Sequence, residues 1–249
     1  MAGPEYETVD EVGAQLSDAA RFLPVAEESV VGGAIAYYGG DQAWYGTRVG
    51  RLSGCGAVAA ADIFAWLARR GGRLKNLYHG DPLHPVKAEF LRHMEDVIRF
   101  VRPTSIHSLD IPYGGLTSIK RFVRYSEAFA ASRGADLSGE VVEHRNTTVD
   151  SAVQAALNWL RADSPVAMLN MRNQCLASVP HADALGTPTQ SDLQFHWVVL
   201  TALQRRSGRW IATASSEGCR VEFDFESAWT CGSRGLFSWR GLVCFRSKE

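Results

Sequence analysis

A helix without a polar face is stable in water only at the centre of something larger. The stretch Ser53–Arg70, "SGCGAVAAADIFAWLARR", reads as such a helix. Its apolar residues, Val58, Ile63, Phe64, Trp66 and Leu67, run nearly all the way round. The remainder of the chain must therefore cover it on every side. Ser53 or Gly54 is placed to cap its start. Arg69 and Arg70 fall in its last turn and Gly71-Gly72 follow as a stop signal.

The flanking pattern supplies the cover. Residues 7–22 could form a short amphipathic helix ending near Pro24. "SVVGGAIAYYGGDQAWYG" reads as a short strand broken by glycines, then a loop, and "HGDPLHP" as a second loop. Helical spacing recurs over 86–101, 118–132 and 149–162. Strand-like runs then take over at 165–171, 195–204, 209–215, 220–226 and 236–246. Helices in the first two-thirds and antiparallel strands in the last third predict an α+β fold. A length of 249 residues suits a single domain, 1–249, with 1–30 as a possible N-terminal extension and 73–148 as a helical insertion.

Composition excludes more than it selects. A hydrophobic fraction of 46% supports a sizeable core, and a net charge of -1 gives no reason to expect nucleic acid or an anionic membrane as partner. No run approaches the ~18 apolar residues of a membrane span. The first residues, "MAGPEYETVDEVGAQL", lack a basic segment followed by an apolar one, so no secretory signal is expected. Five cysteines, at 55, 175, 219, 231 and 244, form no CxxC pair. That argues against structural zinc and against a full disulfide framework. Free thiols suit a reducing cytosol, and a cytoplasmic location is expected; export by a route that needs no signal would leave no trace. No HExxH or His/Cys cluster is present, and "YGGLTSIK" lacks phosphate-loop spacing. Neither metal nor cofactor is expected.

The chemistry centres on Cys55, at the start of the apolar helix between Gly54 and Gly56. A helix start offers free N–H groups and positive partial charge. Glycines leave room for a substrate backbone to approach. A thiolate further needs a base. His196 enters the strand "HWVVLTAL" about 140 residues later, the order and spacing of a Cys–His catalytic pair. Trp197 beside it shields the pair or simply packs in the core. Ser216 and Glu217, at the end of "WIATASSEG", are candidates to orient the imidazole. Cys175, Cys219, Cys231 and Cys244 read as packing residues. His181 either borders the cleft or is a solvated residue of the polar loop 178–194, which is long enough to act as a lid.

The blocks "GCGAVAAADIFAWLA", "SPVAMLN" and "FHWVVLTAL" together resemble the papain-like cysteine peptidase superfamily. The likeness is greatest to its bacterial C39-like and uncharacterised papain-like branch. The three blocks carry the resemblance; residues 73–148 hardly share in it. It implies the cysteine helix packed on an antiparallel sheet in a single papain-like domain, with Cys55 as nucleophile and His196 as base. Two positions depart from the pattern. The oxyanion glutamine usually stands about six residues before the cysteine, where this chain has Val49. Gln42 either loops into the site or lies on the surface. The third member is usually Asn or Asp, where this chain offers Ser216 or Glu217.

The expected substrate is a peptide or another amide, attacked through a Cys55 thioester. Water as acceptor makes a peptidase or amidase; an amine makes an acyltransferase of transglutaminase type. An effector enzyme on the same site and a catalytically inactive binding module are the other readings.

Overall fold

The computed structural model describes residues 13–29, 33–103, 115–171, 173–231 and 240–248. Outside these lie residues 7–12 of the expected first helix, 236–239 of the last expected strand, the start of "PYGGLT" and His107.

The elements in chain order begin with β1 (Gly13–Gln15) and the hairpin β2 (Pro24–Ser29) and β3 (Gly33–Tyr38). Helices α1 (Arg48–Ser53), α2 (Cys55–Ala68), α3 (Lys87–Ile98) and α4 (Ile119–Ser132) follow. Next come β4 (Leu137–Glu143), α5 (Val149–Arg161), β5 (Val166–Asn170), β6 (Val179–Ala182) and β7 (Pro188–Ser191). The chain closes with β8 (His196–Arg206), β9 (Arg209–Ser216), β10 (Cys219–Asp224), α6 (Phe225–Thr230) and β11 (Arg240–Ser247).

The fold is α+β, as expected. Nine strands form one sheet in the order β4-β11-β5-β8-β9-β10-β6-β7, with β1 joining β8 beyond the end of β5. Its pairings among the described residues are all antiparallel. Strand β8 is paired along both sides and buried from His196 to Leu203, which explains its unbroken apolar sequence. Helix α2 packs on β8 and β5 and receives α3 against its outer side. It is buried at every residue from Cys55 to Ala68, so its all-round apolarity is matched by all-round cover. Stacked Phe64 and Phe129 join α2 to α4, and Phe245 of β11 packs against Phe64 and Phe122. No helix among the described residues is long and apolar enough to cross a membrane.

Several expectations need correction. Where residues 7–22 were expected to be helical, Gly13–Gln15 is a strand and Ala19–Arg21 a single 3₁₀ turn. The middle of the chain is not wholly helical, because Leu137–Glu143 runs beside β11 at the sheet edge. The 178–194 loop is mostly a hairpin, β6–β7, on the opposite edge. The run expected as a strand through 226 stops at Asp224, whose carboxylate accepts from Ser227 N–H and caps α6. Cys175 and Cys231, expected to pack as free thiols, are joined in a disulfide across 56 positions. Cys55, Cys219 and Cys244 are the free ones. The cytosolic expectation loses part of its premise with that bond.

Candidate active site

Three pieces of chain converge at one end of β8. Gly54 serves as C-cap of α1 and N-cap of α2, so Cys55 opens the buried helix directly. His196 is the first residue of β8, preceded by Phe195 at φ 52°. The turn Ser216-Glu217-Gly218-Cys219 joins β9 to β10 with positive φ at both central residues, as the twist of a two-residue hairpin demands. Tyr38 N–H donates to Gly218 O, and Gly218 N–H donates to Gly40 O. These two bonds fasten the end of β3, and the loop carrying Gln42, onto that turn.

A narrow slot of about 10 Å³ lies between them, room for about one water. Cys55, His196, Trp197, Ser216, Glu217 and Gln42 all line it. Cys55 is 6% exposed and His196 7%. Burial pushes the Cys55 thiol up, but its hydrogen bond with His196, the imidazolium charge and the N–H groups of Trp197 and Gly56 outweigh that and hold it below the ordinary thiol value. His196 shows the converse. Burial pushes it down, while the bond to Cys55, the thiolate charge and the carboxylates of Glu217 and Asp192 carry it above the ordinary imidazole value. Each group favours the charged form of the other.

Ser216 Oγ lies 3.1 Å from His196 Nε2. When protonated at Nε2, His196 donates to that oxygen. Of the two candidates, Ser216 is the one within hydrogen-bond distance of the ring. Glu217 accepts from Ser191 Oγ at 2.8 Å and acts on His196 through its charge alone. Asn170 stands opposite His196 in the β5–β8 register, yet neither of its amide atoms has a hydrogen-bond partner, so the asparagine typical of this position elsewhere is not replaced from β5. Ser216→Ala leaves a buried, charged N–H unpaired, a loss of about 1.5–3 kcal/mol. The expected result is Cys55 alkylation slowed about tenfold or more near pH 6, read by peptide-resolved mass spectrometry.

The other expected residues divide. Gln42, in the 3₁₀ turn Gln42–Trp44, does loop into the slot, and its Oε1 is buried without a partner. Val49 is half-buried in α1 and does not line the slot. Gly54 and Gly56 do not open toward substrate. A Cβ on Gly54 would meet Tyr45 Cε2 at 2.6 Å, and one on Gly56 would meet Leu116 Cβ at 3.2 Å and Trp197 Cδ1 at 3.3 Å. They make room for packing. Gly115 is the glycine facing the nucleophile, since a Cβ there would lie 4.0 Å from Cys55 Sγ. Trp197 lines the slot and packs in the core: its ring stacks on Phe122 and its Nε1–H donates to Leu116 O at 2.6 Å.

A wider cavity of about 560 Å³ opens beside the slot and shares Gln42 and Glu217 with it. Its far wall is the β6–β7 hairpin, and His181, read as either bordering the cleft or solvated, lines this cavity. Asp62 is the slot residue that sequence reasoning missed. Its signal was present: it is the one charged residue in an otherwise apolar Cys55–Ala68.

No known family profile matches the chain, and a search of curated proteins returns no match.

Proposed function

We propose that the protein is a papain-like thiol enzyme that cleaves a peptide or other amide through a Cys55 thioester. The observation that carries this reading is the one buried slot that brings Cys55, His196 and Ser216 together, with His196 Nε2 3.1 Å from Ser216 Oγ. The Cys55 thiolate attacks the amide carbonyl carbon. His196 gives its proton to the nitrogen as the C–N bond breaks, and the amine leaves. His196 then takes a proton from water as the oxygen attacks the thioester. The acid departs and the pair is restored. Gln42 and the Cys55 N–H are the proposed donors to the carbonyl oxygen as it gains charge. Substrate enters from the wider cavity, since the slot itself holds no more than a water-sized group.

The binding-module reading arose from a missing glutamine and an uncertain third residue. Gln42 and Ser216 stand at those two places, which supports the enzyme reading. The test is turnover of a fluorogenic amide and peptide library, wild type against Cys55→Ala. Wild-type hydrolysis is expected, with a fall on the order of 10⁴ or more in the variant. The rate should peak between an acid limb below the ordinary thiol value and an alkaline limb above the ordinary imidazole value. Equal turnover in both proteins, or none in either, would reject the reading.

A further inference from the structure

Asp62 lies two turns beyond Cys55 on α2 and is 1% exposed. Its Oδ1 accepts from Gly40 N–H at 2.8 Å, and its Oδ2 lies 3.0 Å from Ser215 Oγ. Ser215 Oγ also lies 2.7 Å from Tyr38 O. A carbonyl oxygen only accepts, so the single hydroxyl hydrogen of Ser215 belongs to the shorter bond. The contact with Oδ2 then has a hydrogen only if Asp62 brings one. An ionised carboxylate would face the lone pairs of Ser215 with no cation in contact among the described residues and only 1% exposure to solvent, an arrangement that favours the neutral acid. Burial accordingly pushes Asp62 up to about 7, against the opposing bond from Gly40 N–H.

The two partners are not arbitrary. Gly40 belongs to the loop that presents Gln42, and Ser215 precedes the Ser216 that holds His196. At Gly39 φ is +86°, and a Cβ there would come 2.4 Å from Ser215 Oγ and 2.5 Å from Asp62 Oδ2. No side chain fits between them.

We propose that Asp62 is a positioning residue that works as a neutral acid, clamping the Gln42 loop and the Ser216 strand end to the helix that carries Cys55. The positioning role rests on the reading of Cys55 and His196 as the reacting pair. The titratable groups facing the clamp are Cys55 on its own helix, Tyr38, Asp41 and Tyr45 from the β3–α1 segment, His196 from β8 and Glu217 from the β9–β10 turn. Ionising Asp62 would break its contact with Ser215 and add a negative charge to the wall of the slot that Cys55 also lines.

Asp62→Asn tests this. The amide oxygen keeps the acceptor for Gly40, and the amide N–H replaces the acid proton toward Ser215. Asp62→Ala removes both. Near pH 6 the Asn variant should match wild type within about twofold in Cys55 alkylation, and above about pH 7 it should react faster. The Ala variant should lose the selective reaction. A second readout needs no reactive cysteine. A folded-state value above the unfolded one stabilises the protein below about pH 4 and loses that contribution as pH rises through about 7. The melting temperature of Asp62→Asn minus that of wild type should therefore climb from about pH 4 to about pH 7 and then level. The infrared band of a protonated carboxyl, present in wild type below about pH 6, should be missing from the variant. A flat melting-temperature difference with no carboxyl band would overturn the proposal. So would an Asn variant as impaired as the Ala variant. Should Cys55 prove unreactive, the melting and infrared measurements still decide the state of Asp62, so failure of the clamp and failure of the enzyme reading are told apart.

Discussion

Near pH 6, iodoacetamide will modify Cys55 in the wild-type protein and will leave it almost untouched in His196→Ala. The reason lies in what remains when the imidazole goes. Cys55 is buried, and burial alone raises a thiol above its usual value. Its hydrogen bond and charge partner reverse that direction. Without them the inflection of the alkylation rate moves from below the ordinary thiol value to above it. Each unit of that movement is a tenfold loss of thiolate at a fixed lower pH. Internal controls come with the chain. Burial pushes Cys219 up to about 11 and Cys244 up to about 12, so both should stay unmodified in either protein. Both proteins must first give the same circular dichroism spectrum and a cooperative melt. Identical labelling of Cys55 in the two would mean that the hydrogen bond does not set the thiol's state, and Cys55 would then be an ordinary buried cysteine.

The second large effect concerns stability. Replacing Cys175 and Cys231 together by serine should lower the free energy of unfolding by about 2–4 kcal/mol, measured by urea titration. The bond closes a loop of 56 positions that contains β6 to β10 and, with them, His196 and Ser216. Opening it releases chain entropy to the unfolded state. The local surroundings add to the expected loss. The buried guanidinium of Arg240 donates to the carbonyls of Trp229 and Cys231, and Asn173 Nδ2 donates to Ala228 O at 2.7 Å, so the end of α6 is held by a polar cluster that the bond completes. A thiol titration of the denatured, unreduced protein should find three free groups, at Cys55, Cys219 and Cys244. Finding five, or a variant as stable as wild type, would sink this prediction.

Much of the frame was legible because its signals are local. The boundaries of α4 and α5 follow from spacing and from the caps at Ser118 and Thr148, each accepting a backbone N–H from within its first turn. The central strand β8 showed itself by an apolar run that no solvated strand would carry. What sequence reasoning lost depends on pairing over distance. Gly13–Gln15 is extended because it borders β8 at Ala202–Gln204, and Leu16 N–H donates to Thr201 O. Nothing within residues 7–22 reports a partner so far along the chain. Strand β4, at the sheet edge, has no fully apolar face and only the pair Val141-Val142 to suggest it. The half-cystines sit on segments that only the folded chain brings together.

The site divides the same way. Cys55 and His196 carry chemistry in their residue type and their order. Ser216 could be narrowed only to a pair, because the choice between it and Glu217 depends on which side chain the turn aims at the ring. Gln42 was ambiguous since its position follows from the two backbone bonds between Gly40, Tyr38 and Gly218. Asp62 was passed over although an acid in an otherwise apolar helix has few reasons to exist besides a buried partner.

The two walls of the site differ in how they are held. His196 and Ser216 stand on β8 and β9, deep in the sheet, whereas the β6–β7 hairpin is fastened to β10 at the single register pair Val221–His181. In amide hydrogen exchange the first wall belongs to the slow class and the second to the fast one. Inheritance can treat them as separately. Replacement of residues along the hairpin would redraw the wider cavity while Cys55, His196 and Ser216 kept their spacing, so, on the enzyme reading proposed above, one site could pass among descendants with different diets.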